Sequence, residues 1–233
     1  GLAERIQERL PDVDIVYPET GTDEELVRLA EDVEVIVSTR LSPVVAENAP
    51  NLKLLQKTGA GVDDMPFEAL KPETYMANTS GSNPLPLAEG AVALVLALAK
   101  RIVPRNNEFD KGRSSKRGVL FHEKTAGILG MGAIGVAAAK MLKGLGMKVI
   151  ATRRSKDEAL RKELGLKWLG DKDDLDQLMR ESDFLIVTIP LTPDTRGLVG
   201  EHKIKQMKPG SYIGNVARAA IIQEKPLYDA LVD

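Results

Sequence analysis

The sequence has 233 residues, 43% hydrophobic and 28% charged, with a formal net charge of −2, so no electrostatic argument favours a nucleic acid or an anionic membrane as partner. It has no cysteine, which excludes disulfides, thiolate metal sites and cysteine nucleophiles, and its two histidines, His122 and His202, are too few for a histidine-rich metal centre. No leader peptide is legible and the most apolar stretch, 91–99, is too short to span a bilayer, so a cytoplasmic enzyme without a metal is expected.

In chain order, Gly1 to Arg5 opens an amphipathic helix, and Asp14–Tyr17 reads as the first strand. An acidic start and helical spacing mark Thr22–Ala30 as a helix. Val35–Ser38, Lys53–Gln56 and Tyr75–Asn78 are further strand candidates. Strands separated by helices predict a parallel sheet covered on both faces. The turn-rich stretch Gly81–Pro86 is the best boundary, giving domains 1–81 and 82–233. The segment from about Leu87 to Ile102 predicts a helix that is apolar nearly all round and must be covered on most sides. Burial between domains or in a homodimer would cover it, and the dimer is the reading preferred. Strands follow at Thr125–Leu129, Met147–Thr152, Phe184–Thr188 and Ser211–Asn215, with a last helix around Leu227–Leu231. The fold class is α/β, with two doubly wound parallel-sheet domains.

Gly130-Met131-Gly132-Ala133-Ile134-Gly135 lies between the strand at Thr125 and a helix of strong helix formers. In that setting a G-x-G-x-x-G hexapeptide is a dinucleotide-binding fingerprint, and the second domain reads as a Rossmann domain. Gly130 permits the tight turn, Gly132 lets backbone approach a pyrophosphate, and Gly135 lets the helix pack close to the strand. An NAD-binding unit places an acidic residue about 20 residues beyond the glycines, on the ribose 2′-hydroxyl. Here Arg153 and Arg154 stand there, Arg153 18 residues after Gly135. Guanidinium groups bind a 2′-phosphate, whereas an acid repels it, so NADP is expected, with NAD possible. The alternative is a solvated basic turn.

Ligands of open α/β sheets bind beyond the carboxyl ends of the strands. Arg218, three residues past Asn215, is placed there with Val216 and Ala217. It could hold a carboxylate and polarise a carbonyl oxygen, or lie on a solvated loop. Thr58–Asp63, containing Gly59, Ala60, Gly61 and Val62, reads either as a small anion-binding nest or as a plain turn. Pro190–Arg196, with Pro190 and Thr195, either walls the adenosine side of the cofactor or is a rigid loop. Arg40 either reaches a distal acidic group on a substrate or faces solvent. His122 precedes the first nucleotide-binding strand and His202 lies in a polar segment, so neither is expected to be the catalytic acid.

Together, Thr58–Asp63, Gly81–Asn83, Leu87–Glu89, the fingerprint at Gly130, Pro190–Gly197, Met207–Gly210 and Asn215–Arg218 resemble the D-isomer-specific 2-hydroxyacid dehydrogenases, over nearly the whole chain. The resemblance implies a flavodoxin-like substrate domain at 1–81 and a nucleotide domain at 82–233, with the active site in the cleft between them. It implies that Arg218 binds substrate, that the backbone of Gly59 to Val62 grips a carboxylate, and that Asn83 lies near the reacting carbon. A small 2-keto or 2-hydroxy acid is the implied substrate, glyoxylate or hydroxypyruvate among the candidates. The family's histidine and glutamate would follow Asp233 and its opening strand would precede Gly1, so both domains read as incomplete. Gly90 stands where the family often has histidine, and Ala219-Ala220 replace the usual glycine after the arginine. The alternative is a non-catalytic NAD(P)-binding regulator on the same fold; a third reading is a Rossmann interaction module.

Overall fold

The computed structural model describes residues 2–109 and 117–232; Gly1 of the expected opening helix lies outside them. The chain divides into two compact units between Ser80 and Gly81.

The first unit carries helices α1 (Leu2–Arg9), α2 (Asp23–Ala30) and α3 (Pro43–Glu47) and strands β1 (Val35–Ser38), β2 (Leu54–Lys57) and β3 (Tyr75–Ala77). The three strands form a parallel sheet in the order β1-β2-β3. Thr22 caps α2 by accepting from the Glu25 N–H, and Ser42 caps α3 with Pro43 in its first turn, so both helices begin where local chemistry dictates. Register places Ile36, Leu55 and Met76 side by side, and these pack with Ala30, Val45, Ala46 and Leu52 into one core. The opposite face carries Val35, Val37 and Tyr75, all exposed. The expected double covering is therefore corrected here: among the described residues this sheet is packed on one face. The expected strand Asp14–Tyr17 is not a strand either. An extended segment becomes one only by pairing, no described strand pairs with it, and Val16 and Tyr17 stay exposed.

The second unit contains α4 (Pro84–Ala99), α5 (Ile102–Phe109), β4 (Thr125–Leu129), α6 (Ala133–Gly144), β5 (Lys148–Thr152), α7 (Glu158–Leu164), β6 (Trp168–Gly170), α8 (Leu175–Glu181), β7 (Phe184–Val187), α9 (Glu201–Lys205), β8 (Tyr212–Asn215) and α10 (Glu224–Val232). Its parallel sheet runs β6-β5-β4-β7-β8, so strand order reverses between β4 and β7. Alternate residues feed two cores. Ala126, Ile128, Val149, Phe184 and Ile186 face α4 and α6; Leu129, Ile150, Leu185 and Val187 face α8 and α9. Each fully buried Leu or Ile here contributes about 1.5–3 kcal/mol of transfer free energy. This unit is doubly wound.

The expected helix from Leu87 to Ile102 is two helices. Pro84 starts α4 three residues earlier, and Arg101, at φ 56°, breaks the run before α5. Only one face of α4 is buried, through Ala88, Ala91, Val92, Val95 and Ala99. Leu94 and Leu98 opposite are half exposed, so the near-complete covering expected for α4 is not found within the described residues of the chain. The short edge strand β6 has no counterpart in the sequence reading. Among the described residues no helix is long and apolar enough to cross a membrane, and no group of three or more His, Cys, Asp or Glu is arranged to hold a metal ion.

Candidate functional site

In the second unit, candidate residues gather beyond the carboxyl ends of the strands, at the point where strand order reverses. β4 delivers Gly130, whose φ of +110° is open to glycine alone at low cost. A Cβ there would come within 2.7 Å of Ile189 Cγ2, so sterics and backbone make the same demand. The turn is pinned on both sides: the Gly130 N–H donates to Thr152 O at 3.0 Å, and Thr188 Oγ1 donates to Gly130 O at 2.7 Å. Gly135, in the first turn of α6, is in contact with Gly130. A Cβ on it would stand 3.1 Å from the Gly130 carbonyl carbon and closer still to the oxygen. That contact brings α6 down onto β4. Gly132 caps α6 without a side chain, and a Cβ on it would meet nothing within 4 Å. The N–H groups of Met131, Gly132, Ala133, Ile134 and Gly135 have no acceptor among the described residues. Met131 is buried and Ala133 exposed. A helix start with open donors, a positive dipole end and free space at Gly132 fits a pyrophosphate.

At the end of β5, Arg153 is tied to the sheet through its N–H, which donates to Gly170 O at 3.1 Å. Its side chain is one-third exposed, and the guanidinium pairs with Asp157, Nη1 to Oδ2, at 2.5 Å. Arg154 is exposed. Lys156 lies between Asp171 at 3.7 Å and Asp174 at 3.3 Å, and the Asp174 hydrogen bond raises its pKa. No acidic side chain stands at position 153 or 154, but one holds Arg153. The sequence reading missed Asp157; an Asp before a helix-forming run, four residues after an Arg, is the signal that was there.

Pro190 is exposed, and Thr195 spends its hydroxyl on its own loop, donating to Pro190 O at 2.7 Å and accepting from the Thr192 N–H at 2.8 Å. Beyond β8, Asn215 shapes the next turn: its Oδ1 accepts from the Ala217 N–H at 3.0 Å and its Nδ2 donates to Arg218 O at 2.9 Å. The Val216 N–H reaches back to Val187 O at 3.3 Å. Arg218 is exposed, with Nη1 donating to Ala217 O at 3.2 Å. Asn83 caps α4 by position, with no capping bond from its side chain. His122 lies at the amino-end edge of the sheet, its ring against Gly146, and His202 is exposed on α9.

In the first unit, Gly59, Ala60, Gly61 and Val62 follow β2. Neither glycine is left-handed, so the loop is not a nest built by alternating backbone handedness. Tethers shape it instead. Gly59 O accepts from the Thr79 N–H at 3.3 Å and Ala60 O from Asn78 Nδ2 at 2.8 Å. Beneath the loop, Lys57 is buried, its Nζ donating to Asp64 Oδ1 at 2.7 Å and Thr39 O at 2.6 Å. That hydrogen bond holds the Asp64 carboxyl below the usual carboxylate range. The exposed Arg40 approaches Asp64 at 3.9 Å. The N–H groups of residues Gly59 to Val62 have no acceptor among the described residues, and four adjacent open donors suit an anion. Lys57 and Asp64 were also missed, because a lysine at the end of a short strand reads as solvated.

The profile of the D-isomer specific 2-hydroxyacid dehydrogenase NAD binding domain matches residues 92–233. A glyoxylate reductase of Thermococcus litoralis is 34% identical over 225 residues, 92% of this chain and 67% of that protein. A D-lactate dehydrogenase from Aquifex aeolicus, solved with NAD and lactic acid, superposes with a TM-score of 0.83 at 26% identity, covering 98% of this chain and 70% of that one. An acyclic imino acid reductase, solved with NADPH and D-arginine, gives 0.85 at 25% identity, covering 99% and 74%. The chain spans about two thirds of the length of the glyoxylate reductases it matches.

Proposed function

The chain belongs to the D-isomer specific 2-hydroxyacid dehydrogenase family, and from that premise we propose that it is part of a cytoplasmic oxidoreductase working between NADP(H) and a small 2-keto or 2-hydroxy acid of D configuration. The observation that carries the reading is the run of five open N–H groups from Met131 to Gly135, with Arg153 and Arg154 at the end of the neighbouring strand. The first binds a pyrophosphate and the second a 2′-phosphate. Pro190 and Thr195 wall the adenosine side of the cofactor, and Val216 and Ala217 line its other flank.

When bound, the nicotinamide supplies hydride to the carbonyl carbon of the keto acid. The N–H groups of Gly59 to Val62 grip the substrate carboxylate, the first unit serving as the substrate domain. Arg218 holds the negative charge that develops on the carbonyl oxygen, and Asn83 orients the group beside it. Neither His122 nor His202 is assigned the proton that the new alkoxide needs; family resemblance gives that task to a histidine kept protonated by a glutamate. A second copy covers the exposed side chains of Leu94, Leu98, Ile102 and Val103, making a homodimer. Glyoxylate heads the substrates to be tried, because several of the similar archaeal proteins are glyoxylate reductases, others being D-3-phosphoglycerate dehydrogenases.

The test is NADPH oxidation with glyoxylate and hydroxypyruvate, followed by absorbance on the full-length protein. Arg218→Ala should lower turnover roughly 10²–10³-fold, as loss of an oxyanion-stabilising donor does, with NADPH affinity nearly intact. Loss of NADPH binding instead would remove Arg218 from the substrate side. Cofactor binding with no turnover on any keto acid would make the protein a regulator.

A further inference from the structure

Arg153 does not meet a ligand as an isolated cation. Asp157 uses its two carboxylate oxygens for two tasks: Oδ1 accepts from the Leu160 N–H at 2.9 Å, capping α7, and Oδ2 accepts from Arg153 Nη1 at 2.5 Å. Both side chains are about two-thirds buried, 32% and 37% exposed, so solvent screens the pair only in part. The Arg153 backbone is pinned to Gly170, which fixes where the guanidinium starts. Arg154, the next cation along the turn, is exposed, and Lys156 beyond it is committed to Asp171 and Asp174.

We propose that Asp157 is a specificity-determining residue, an internal anion that offsets the charge of Arg153 and moderates the preference for a 2′-phosphorylated cofactor. The inference rests on the reading that Arg153 faces the ribose 2′ position. A phosphate there gains from Arg153 but is repelled by the carboxylate bonded to it. A neutral 2′-hydroxyl meets no such repulsion. The pair therefore weakens the preference for NADPH that Arg153 would otherwise add to that of the exposed Arg154.

Asp157→Asn separates the two tasks, since Asn caps a helix as well as Asp but carries no charge. By titration calorimetry on the full-length protein, it should tighten NADPH about 3–10-fold, the value of a partly exposed charge pair plus relief of one repulsion. NADH affinity should stay within about twofold, and raising the salt should shrink the NADPH gain. In an Arg153→Ala background the gain should vanish. Unchanged or weaker NADPH binding in Asp157→Asn, with Arg153→Ala still weakening NADPH alone, would overturn the role of Asp157 and leave that of Arg153 standing. If Arg153→Ala leaves the NADPH-to-NADH ratio untouched, both fall. Thermal midpoints check folding, and Asp157→Ser, another capping residue without charge, repeats the measurement should the Asn variant fold poorly.

Discussion

The turns at Gly130–Gly135 and at Gly59–Val62 look alike as strings. Each follows a parallel strand, contains spaced glycines and leaves a run of N–H groups without acceptors. Their glycines do different things. At the first turn Gly130 is left-handed, and a Cβ at Gly130 or Gly135 would strike neighbouring atoms, so glycine itself is the geometry. At the second turn neither glycine is left-handed, and a Cβ on Gly59 would make an ordinary 3.7 Å contact with Lys57 Cε. Its shape comes from side chains and strands around it: Lys57 with Asp64, Asn78 on Ala60, Thr79 on Gly59. A spaced pair of glycines thus marks a steric requirement in one place and a tethered loop in the other.

Gly135→Ala tests the contrast hardest. Its methyl has no room between α6 and the Gly130 carbonyl, so the helix must move, at a cost of about 3 kcal/mol, the upper end for overpacking. Denaturant unfolding should register that loss together with loss of NADPH binding; a change below about 1 kcal/mol would mean that the turn has slack. Lys57→Met comes next. It strips the hydrogen-bonded cation from Asp64, whose side chain is 40% exposed and so partly rehydrates. About 1–2 kcal/mol should be lost, less than for a fully buried pair. The pH dependence has a definite sign. The folded pKa of Asp64 is depressed, so the contribution of the pair is fully present above the unfolded value of about 3.9 and is lost as pH falls through the lower folded value. Lys57→Met should remove most of that acid-dependent component, leaving what the Asp64 backbone N–H and Arg40 supply. The smallest effect belongs to Gly59→Ala, within about 0.5 kcal/mol, since neither sterics nor φ opposes it. A cost like that of Gly135→Ala would show that the two turns are of one kind.

Much of the fold was legible because short-range rules produce it. Thr125–Leu129 is a strand with the expected ends, and the helix expected from Val136 is present but begins three residues earlier, at Ala133, inside the fingerprint and after the capping Gly132. The misses share a cause. Asp14–Tyr17 has strand composition, but pairing depends on what lies alongside, and no described strand does. The long apolar helix was divided by Arg101, whose left-handed backbone leaves no mark in composition. At the candidate sites, the positions of Gly130, Arg153 and Arg218 beyond strand ends, and of Gly135 in the helix that follows, were expected from the motif and from strand order. The pairings of those side chains were not.

By itself the sequence determined the parallel α/β class, the fingerprint turn and the lack of any cysteine within these 233 residues. Each follows from backbone sterics, residue periodicity or composition, properties read within a few neighbouring residues. Only the tertiary structure decided that Lys57 is spent on Asp64 and Thr39, that Arg153 is shared with Asp157, and that among the described residues the first sheet is packed on one face. Long charged side chains choose among several partners within reach, and a sheet face is covered only by what the chain brings to it, so both depend on relative placement in space.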